Sequence, residues 1–227
     1  MTAISKVVAT AGVSTYHLPS CHAFIAYIIP AWYNMPMKDL TIIAKNDNIV
    51  LRDRIAGDVE AFIRWQTSGE WLAFDAPWEQ AGKPEPDIQT LRDKFRERCE
   101  EKPETPRKSA MISLPDGPAI GWVNRYTHKG SEDAWLIGID ICEDECLNRG
   151  LGTQALILWK NYLFANSNYH RLGLETWSFN KRMIRVAQKL GFVLEGTQRQ
   201  VRKWQDEWLD LHNYGMLREE WERLRRG

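Results

Sequence analysis

The chain has 227 residues, enough for one sizeable core or two small ones, and since domains run on the order of 100 to 200 residues one is the simpler reading. Lys plus Arg and Asp plus Glu each number 30, so the formal charge is zero: no whole-protein field draws it to nucleic acid or an anionic membrane, and recognition has to be local. No apolar run reaches the roughly 20 residues that span a bilayer, and four scattered cysteines (Cys21, Cys99, Cys142, Cys146) fit a reducing cytoplasm better than a disulfide-built domain.

Residues 1–45 have no clear period and are broken by Pro19, Pro30 and Pro36, so they read as an N-terminal extension before a domain over 46–227. Met35 and Met37 offer alternative starts, and His17 and His22 read as incidental. A short strand is expected at 49–52, after which Asp58 opens an apolar-periodic helix through Val59, Phe62, Ile63 and Trp65. The segment SGEWLAFDAPWEQAGKPEPD reads as a loop, and Asp87 caps a second helix, IQTLRDKFRERCEE. From Ser109 the period changes to two: SAMISL and AIGWVNRYT form a hairpin about the turn PDG, and 134–141 is a third strand. A glycine loop leads into a helix from Thr153 to about Ala165, followed by a strand at 170–176. Asn180 then begins the helix KRMIRVAQKLG, which Gly191 ends. A second hairpin joins FVLEGTQRQVRKW to WLDLHNYGML, and the tail REEWERLRR either packs on the body or serves a homodimer. Strands clustered early and helices alternating later predict an α+β mixed sheet.

The stretch GIDICEDECLNRGLGTQAL carries the most chemistry. A strand, a glycine loop and a helix start build an anion site, because free backbone N–H groups and the helix dipole point at an incoming phosphate. It lacks the Gly-Lys-Ser/Thr of a triphosphate loop and the third glycine of a dinucleotide fingerprint. Cys142 and Cys146, spaced Cys-x3-Cys around Glu143, Asp144 and Glu145, have neither a second ligand pair nor a nearby histidine, so no metal is expected and buried free thiols are the simpler reading.

The segments GIDICEDECLNRGLGTQALILW, HRLGLETWSFNKRMIRVAQKLGFVLEGTQR and YGMLREEW, in that order over about 49–221, resemble the GNAT superfamily of N-acetyltransferases, in particular the branch related to RimJ and RimL. The resemblance implies a mostly antiparallel mixed sheet, splayed in the middle, with helices on both faces. It implies acetyl-CoA as co-substrate, with its pyrophosphate on the amides of Arg149, Gly150, Leu151, Gly152 and Thr153. Backbone groups of Ile139 and Ile141 would pair with pantetheine like an added strand, and Asn180 would contact its cysteamine end as well as capping its helix. Leu147, Met183 and Ala187 stand where many relatives carry Gln or Arg, Ser, and Tyr, so no general acid is assigned; Tyr214 is a weak candidate.

Acetyl transfer needs a neutral amine, and Asp140 and Glu175, on strands that splay apart, are the candidate bases, set against plain solvation of either. The resemblance implies that the loop 70–79 walls the acceptor groove; Trp71 and Trp78 with Asp75 and Glu79 would then form an aromatic, anionic slot, or else the aromatics pack on the core. The acceptor is then a cationic amine: a peptide N-terminus, a polyamine or an aminoglycoside-like molecule. The competing class is a catalytically weak acyl-CoA-binding sensor or scaffold.

Overall fold

The computed structural model describes residues 40–127 and 134–226. The N-terminal features read from sequence, His17, Cys21, His22 and the alternative starts, lie outside the described residues. Eight strands form one sheet: β1 (Ile42–Lys45), β2 (Val50–Arg52), β3 (Ser109–Ser113), β4 (Ala119–Thr127), β5 (Ala134–Ile141), β6 (Arg171–Trp177), β7 (Val193–Trp204) and β8 (Glu207–Leu217). Their order is β1-β2-β3-β4-β5-β6-β8-β7, and every pairing is antiparallel except that of β5 with β6.

Five helices cover it: α1 (Val59–Trp65), α2 (Ile88–Glu100), α3 (Leu151–Ala165), α4 (Lys181–Lys189) and α5 (Arg218–Arg226). Alternation along the strands feeds two cores. On one face α3 sets Ala155, Leu156, Trp159 and Leu163 against Ile112, Val123, Ile137 and Leu172. On the other, Trp65 of α1 and Trp71 pack with Met111, Ala119, Cys142 and Trp122. Helix α2 joins that side through Phe95, which meets Val59 and Ile63. Cys142 and Cys146 fall in different cores, and among the described residues no group of three or more His, Cys, Asp and Glu side chains converges as a metal site.

Local chemistry accounts for most boundaries. Asp87 accepts from the Gln89 N–H and Asn180 from the Met183 N–H, each capping its helix, and Gly191 takes φ +82° just past α4. Gln205 and Asp206, both at positive φ, close the β7–β8 hairpin in two residues.

Four features differ from or extend the sequence reading. Strand β1 was not expected, because IIAK at the sheet's edge carries no alternation. Helix α3 begins at Leu151, two residues early, with Gly150 as its N-cap at φ +77°. Asp58 does not cap α1 with its side chain: its carboxylate takes both Arg52 terminal nitrogens at 2.7 Å and the Ile55 N–H at 3.0 Å, in a buried pair that anchors α1 to β2. The tail packs on the body: Trp221 of α5 stacks on Phe164 at 5.0 Å, and Arg218 donates to the carbonyls of Phe164, Ser167 and Tyr169. No helix among the described residues is long and apolar enough to cross a membrane.

Candidate active site

Among the described residues strands β5 and β6 pair at three positions, Ala134 with Arg171, Trp135 with Leu172 and Leu136 with Gly173. Beyond Leu136 they separate: β5 continues against β4 as far as Ile141, and β6 continues against β8 as far as Trp177. The backbone edges of β5 and β6 therefore face each other across a wedge-shaped gap.

Helix α3 starts at the mouth of this gap. Its N-cap is a glycine with no side-chain cap, and its first turn has no acidic residue. The leading amides, those of Leu151, Gly152 and Thr153, have no partner one turn back, and the dipole adds positive potential, so the start is open to an anion. A Cβ on Gly152 would lie 3.5 Å from Ile141 Cγ1 and 3.6 Å from Ile139 Cδ1, so this helix start rests flush on the end of β5. Asn180 occupies the other rim, where its Oδ1 holds α4 and its Nδ2 donates to the Phe74 carbonyl at 3.4 Å.

The far face of the gap is set by register. Trp122 pairs with Asp140 and Asn124 with Gly138, and with Tyr126 opposite Leu136 these alternate residues share one side. The Leu136–Gly173 pair carries that side onto β6, where it includes Glu175 and Trp177. The loop 70–79, two short 3-10 turns at Glu70–Ala73 and Pro77–Glu79, crosses this face. Acids that sequence alone leaves as a polar loop hold it and the helix before it: Asp144 accepts the Glu70 N–H at 2.7 Å, while Glu143 takes the Trp65 indole N–H of α1 at 2.8 Å and pairs with Arg64. The Glu70 carboxylate itself pairs with Arg182. Trp78 stands edge-on to Trp177 at 4.6 Å, with Trp204 at 5.8 Å and Arg202 over its ring. Trp71 does not line the slot; it is buried in the second core, edge-on to Trp122 at 5.3 Å, because the 3-10 turn points it inward.

The loop brings acid to acid. Burial, with Glu79 next to it, raises the Asp75 carboxyl above its usual range. Burial and the neighbouring Asp75 push Asp140 up to about 8, against the pull of a hydrogen bond from Trp122. Tyr126, whose ring is partly exposed, is pushed up to about 12 by loss of solvation and by Glu175, Asp75 and Asp140, so this phenol stays protonated. Asp75, Asp140 and Glu175, called from sequence, thus converge with Tyr126, which was not. Tyr214 is instead a core residue on the opposite face, beside Leu174. Alternation in WVNRYT placed Trp122, Asn124 and Tyr126 together, but nothing in the sequence aligned them with Asp140. Beside the acids, a groove of about 330 Å³ opens between Ala73, Pro77 and Phe179 and the hairpin residues Trp204, Glu207 and Leu209.

A splayed α+β sheet with an open helix start at the splay can hold an extended ligand that carries an anion, and comparison with known proteins gives the family. Residues 48–193 match the family model described as the acetyltransferase (GNAT) domain, and the chain belongs to that family. Among curated proteins it is similar to an uncharacterized N-acetyltransferase, YokL, derived from the SPbeta prophage of Bacillus subtilis strain 168, at 30% identity over 74 residues; the match covers 33% of this chain and 42% of that relative's length. Among solved structures it resembles the spermidine N-acetyltransferase from Vibrio cholerae in complex with CoA and spermine, with TM-score 0.62, 16% identity, and coverage of 78% of this chain and 99% of the other. It also resembles RimL, the ribosomal L7/L12 alpha-N-protein acetyltransferase, in complex with coenzyme A, with TM-score 0.60, 16% identity, and coverage of 79% and 99%. At these identities the structural likeness is one of fold.

Proposed function

We propose that the protein is an acetyl-CoA-dependent N-acetyltransferase acting on a cationic primary amine by direct attack in a ternary complex. One observation carries this reading: the gap between β5 and β6 opens at one end onto the uncapped start of α3 and on its far face onto Asp75, Asp140, Glu175 and Tyr126. Acetyl-CoA fits the first end, with its pyrophosphate on the amides from Arg149 to Thr153 and its pantetheine against the backbone of Ile139 and Ile141. Asn180, tied to the Phe74 carbonyl, would link the cofactor's reactive end to the acceptor loop.

The amine approaches from the acid face as an ammonium, attracted by Asp75, Glu79 and Glu175. Its cation lowers the cost of ionising Asp140, which takes the ammonium proton and so frees the nitrogen lone pair to attack the thioester carbon. The C–N bond forms and the C–S bond breaks, and the second nitrogen proton, lost as the tetrahedral intermediate collapses, passes through Tyr126 or water to the departing thiolate. Asp140 suits the base role because its proton affinity lies near working pH. Trp78 and the groove beside it would take the rest of the acceptor. The motifs over 49–221 favour the RimJ/RimL-like branch, whose acceptors include protein N-termini; the depth of acid favours a polyamine or aminoglycoside-like molecule equally well.

The test is release of free thiol from acetyl-CoA with a panel of peptides, polyamines and aminoglycosides. Turnover with at least one amine is expected. CoA binding without turnover across the panel would instead support a sensor or scaffold.

A further inference from the structure

Asn124 has a buried side-chain oxygen that the fold does not use. It stands opposite Gly138, two residues beyond the last residue of β5 that pairs with β6, where the gap begins. No donor among the described residues reaches its Oδ1. The Asn124 backbone is accounted for separately, since its carbonyl accepts the Trp159 indole N–H of α3 at 2.9 Å, so the strand is pinned and the carboxamide is held in place. A Cβ on residue 138 would lie 2.6 Å from that same oxygen, so glycine at 138 is what gives the carboxamide its room. A buried carbonyl oxygen without a donor destabilises a folded chain, and such groups are usually paired. An unpaired one on the acid face of a gap is a group waiting for a donor from a ligand.

We infer that Asn124 is an acceptor-binding residue: its Oδ1, seated over Gly138, accepts an N–H of the incoming amine and holds the nitrogen in the gap near Asp140. The inference rests on the acetyltransferase reading above and adds to it a residue that the family motifs do not supply. The chemistry of the oxygen selects the ligand. It can only accept, so the ligand group must donate, and the carboxylates sharing this face favour a cationic nitrogen. Pantetheine amides, which would lie between the strands against the β5 backbone, belong in the plane of the sheet and not on this face.

Calorimetric titration of the full chain separates the two ligands, with CoA as one probe and spermidine, kanamycin and an alanine-led tripeptide as amine probes. Asn124→Leu removes the oxygen at similar size, and Gly138→Ala pushes it aside. Each should weaken the amine that binds wild type by about 10-fold or more, as expected for a hydrogen bond to a charged group, and leave the CoA dissociation constant within about twofold. Asn124→Asp, which keeps an acceptor oxygen, should retain amine binding. Asn124→Leu should melt no lower than wild type, because it removes an unpaired buried oxygen. Equal weakening of CoA and amine, unchanged amine affinity, a lowered melting temperature with loss of both ligands, or no binding of any of the three amines to wild type would each overturn the inference. Because binding is measured without turnover, an amine that binds through Asn124 but is never acetylated sinks the acetyltransferase reading alone.

Discussion

Replacing Asp140 with Asn should make the protein more stable and less active, with the gain in stability growing as pH rises. Burial and Asp75 raise this carboxyl from 3.8 to about 8 in the folded chain. At about 1.4 kcal/mol per tenfold change in proton affinity, the charged form costs the fold at most about 6 kcal/mol. Because the side chain is only half-buried, about 2–4 kcal/mol is the better expectation after allowance for solvent screening. The folded chain holds this proton more tightly than the unfolded chain does. Wild-type stability from this group therefore falls as pH rises from about 4 to about 8 and is level above that. The carboxamide of the Asp140→Asn variant carries no such titration. Urea denaturation of the ligand-free chains near pH 5, 7 and 9 should show a difference that widens to about pH 8 in favour of the variant, with each kcal/mol worth roughly 2–4 °C in a parallel melt. In the same series wild-type kcat/KM should rise through an ionisation near 8, and the variant should lose about 10²- to 10⁴-fold, the range for removing a general base. A stability difference flat in pH, or a variant with wild-type turnover, would refute the assignment.

Asp58→Ala strands the Arg52 guanidinium, 2% exposed, without its partner and should cost about 3–5 kcal/mol in urea denaturation. Gly121→Ala places a Cβ 1.9 Å from the Asp140 carbonyl, at φ +157°, so the end of β5 must move. CoA affinity by calorimetry should fall along with the melting temperature. Asp75→Asn combined with Glu79→Gln should raise the Michaelis constant for the amine more than that for acetyl-CoA; equal changes in steady-state kinetics would count against the slot.

Local chemistry made much of the fold readable. The turn PDG, the caps Asp87 and Asn180, and Gly191 after α4 are one-residue signals whose geometry depends on near neighbours, and each stands where the sequence put it. Strand β1 escaped because four residues at a sheet edge, IIAK, have no pattern to detect. Trp71 and Trp78 look alike in sequence, and only the two 3-10 turns send one into the core and leave the other against Trp177. Glu143 and Asp144 looked like a solvated run; their use as tethers required Trp65 and the Glu70 amide to arrive from residues more than 70 positions away.

The strand, the glycine loop and the helix start lie within about twenty consecutive residues, so sequence alone determined the proposed cofactor end of the site: its geometry is local, made by backbone amides and Gly150. The proposed acceptor end was decided by tertiary structure. Asp75, Tyr126, Asp140 and Glu175 come from a loop and three strands, and their convergence depends on the β4–β5 register and on where β5 leaves β6. Alternation tells which residues of one strand share a face. Which faces then meet, and therefore which carboxyl is pushed up to about 8, is set by pairing between segments distant in the chain.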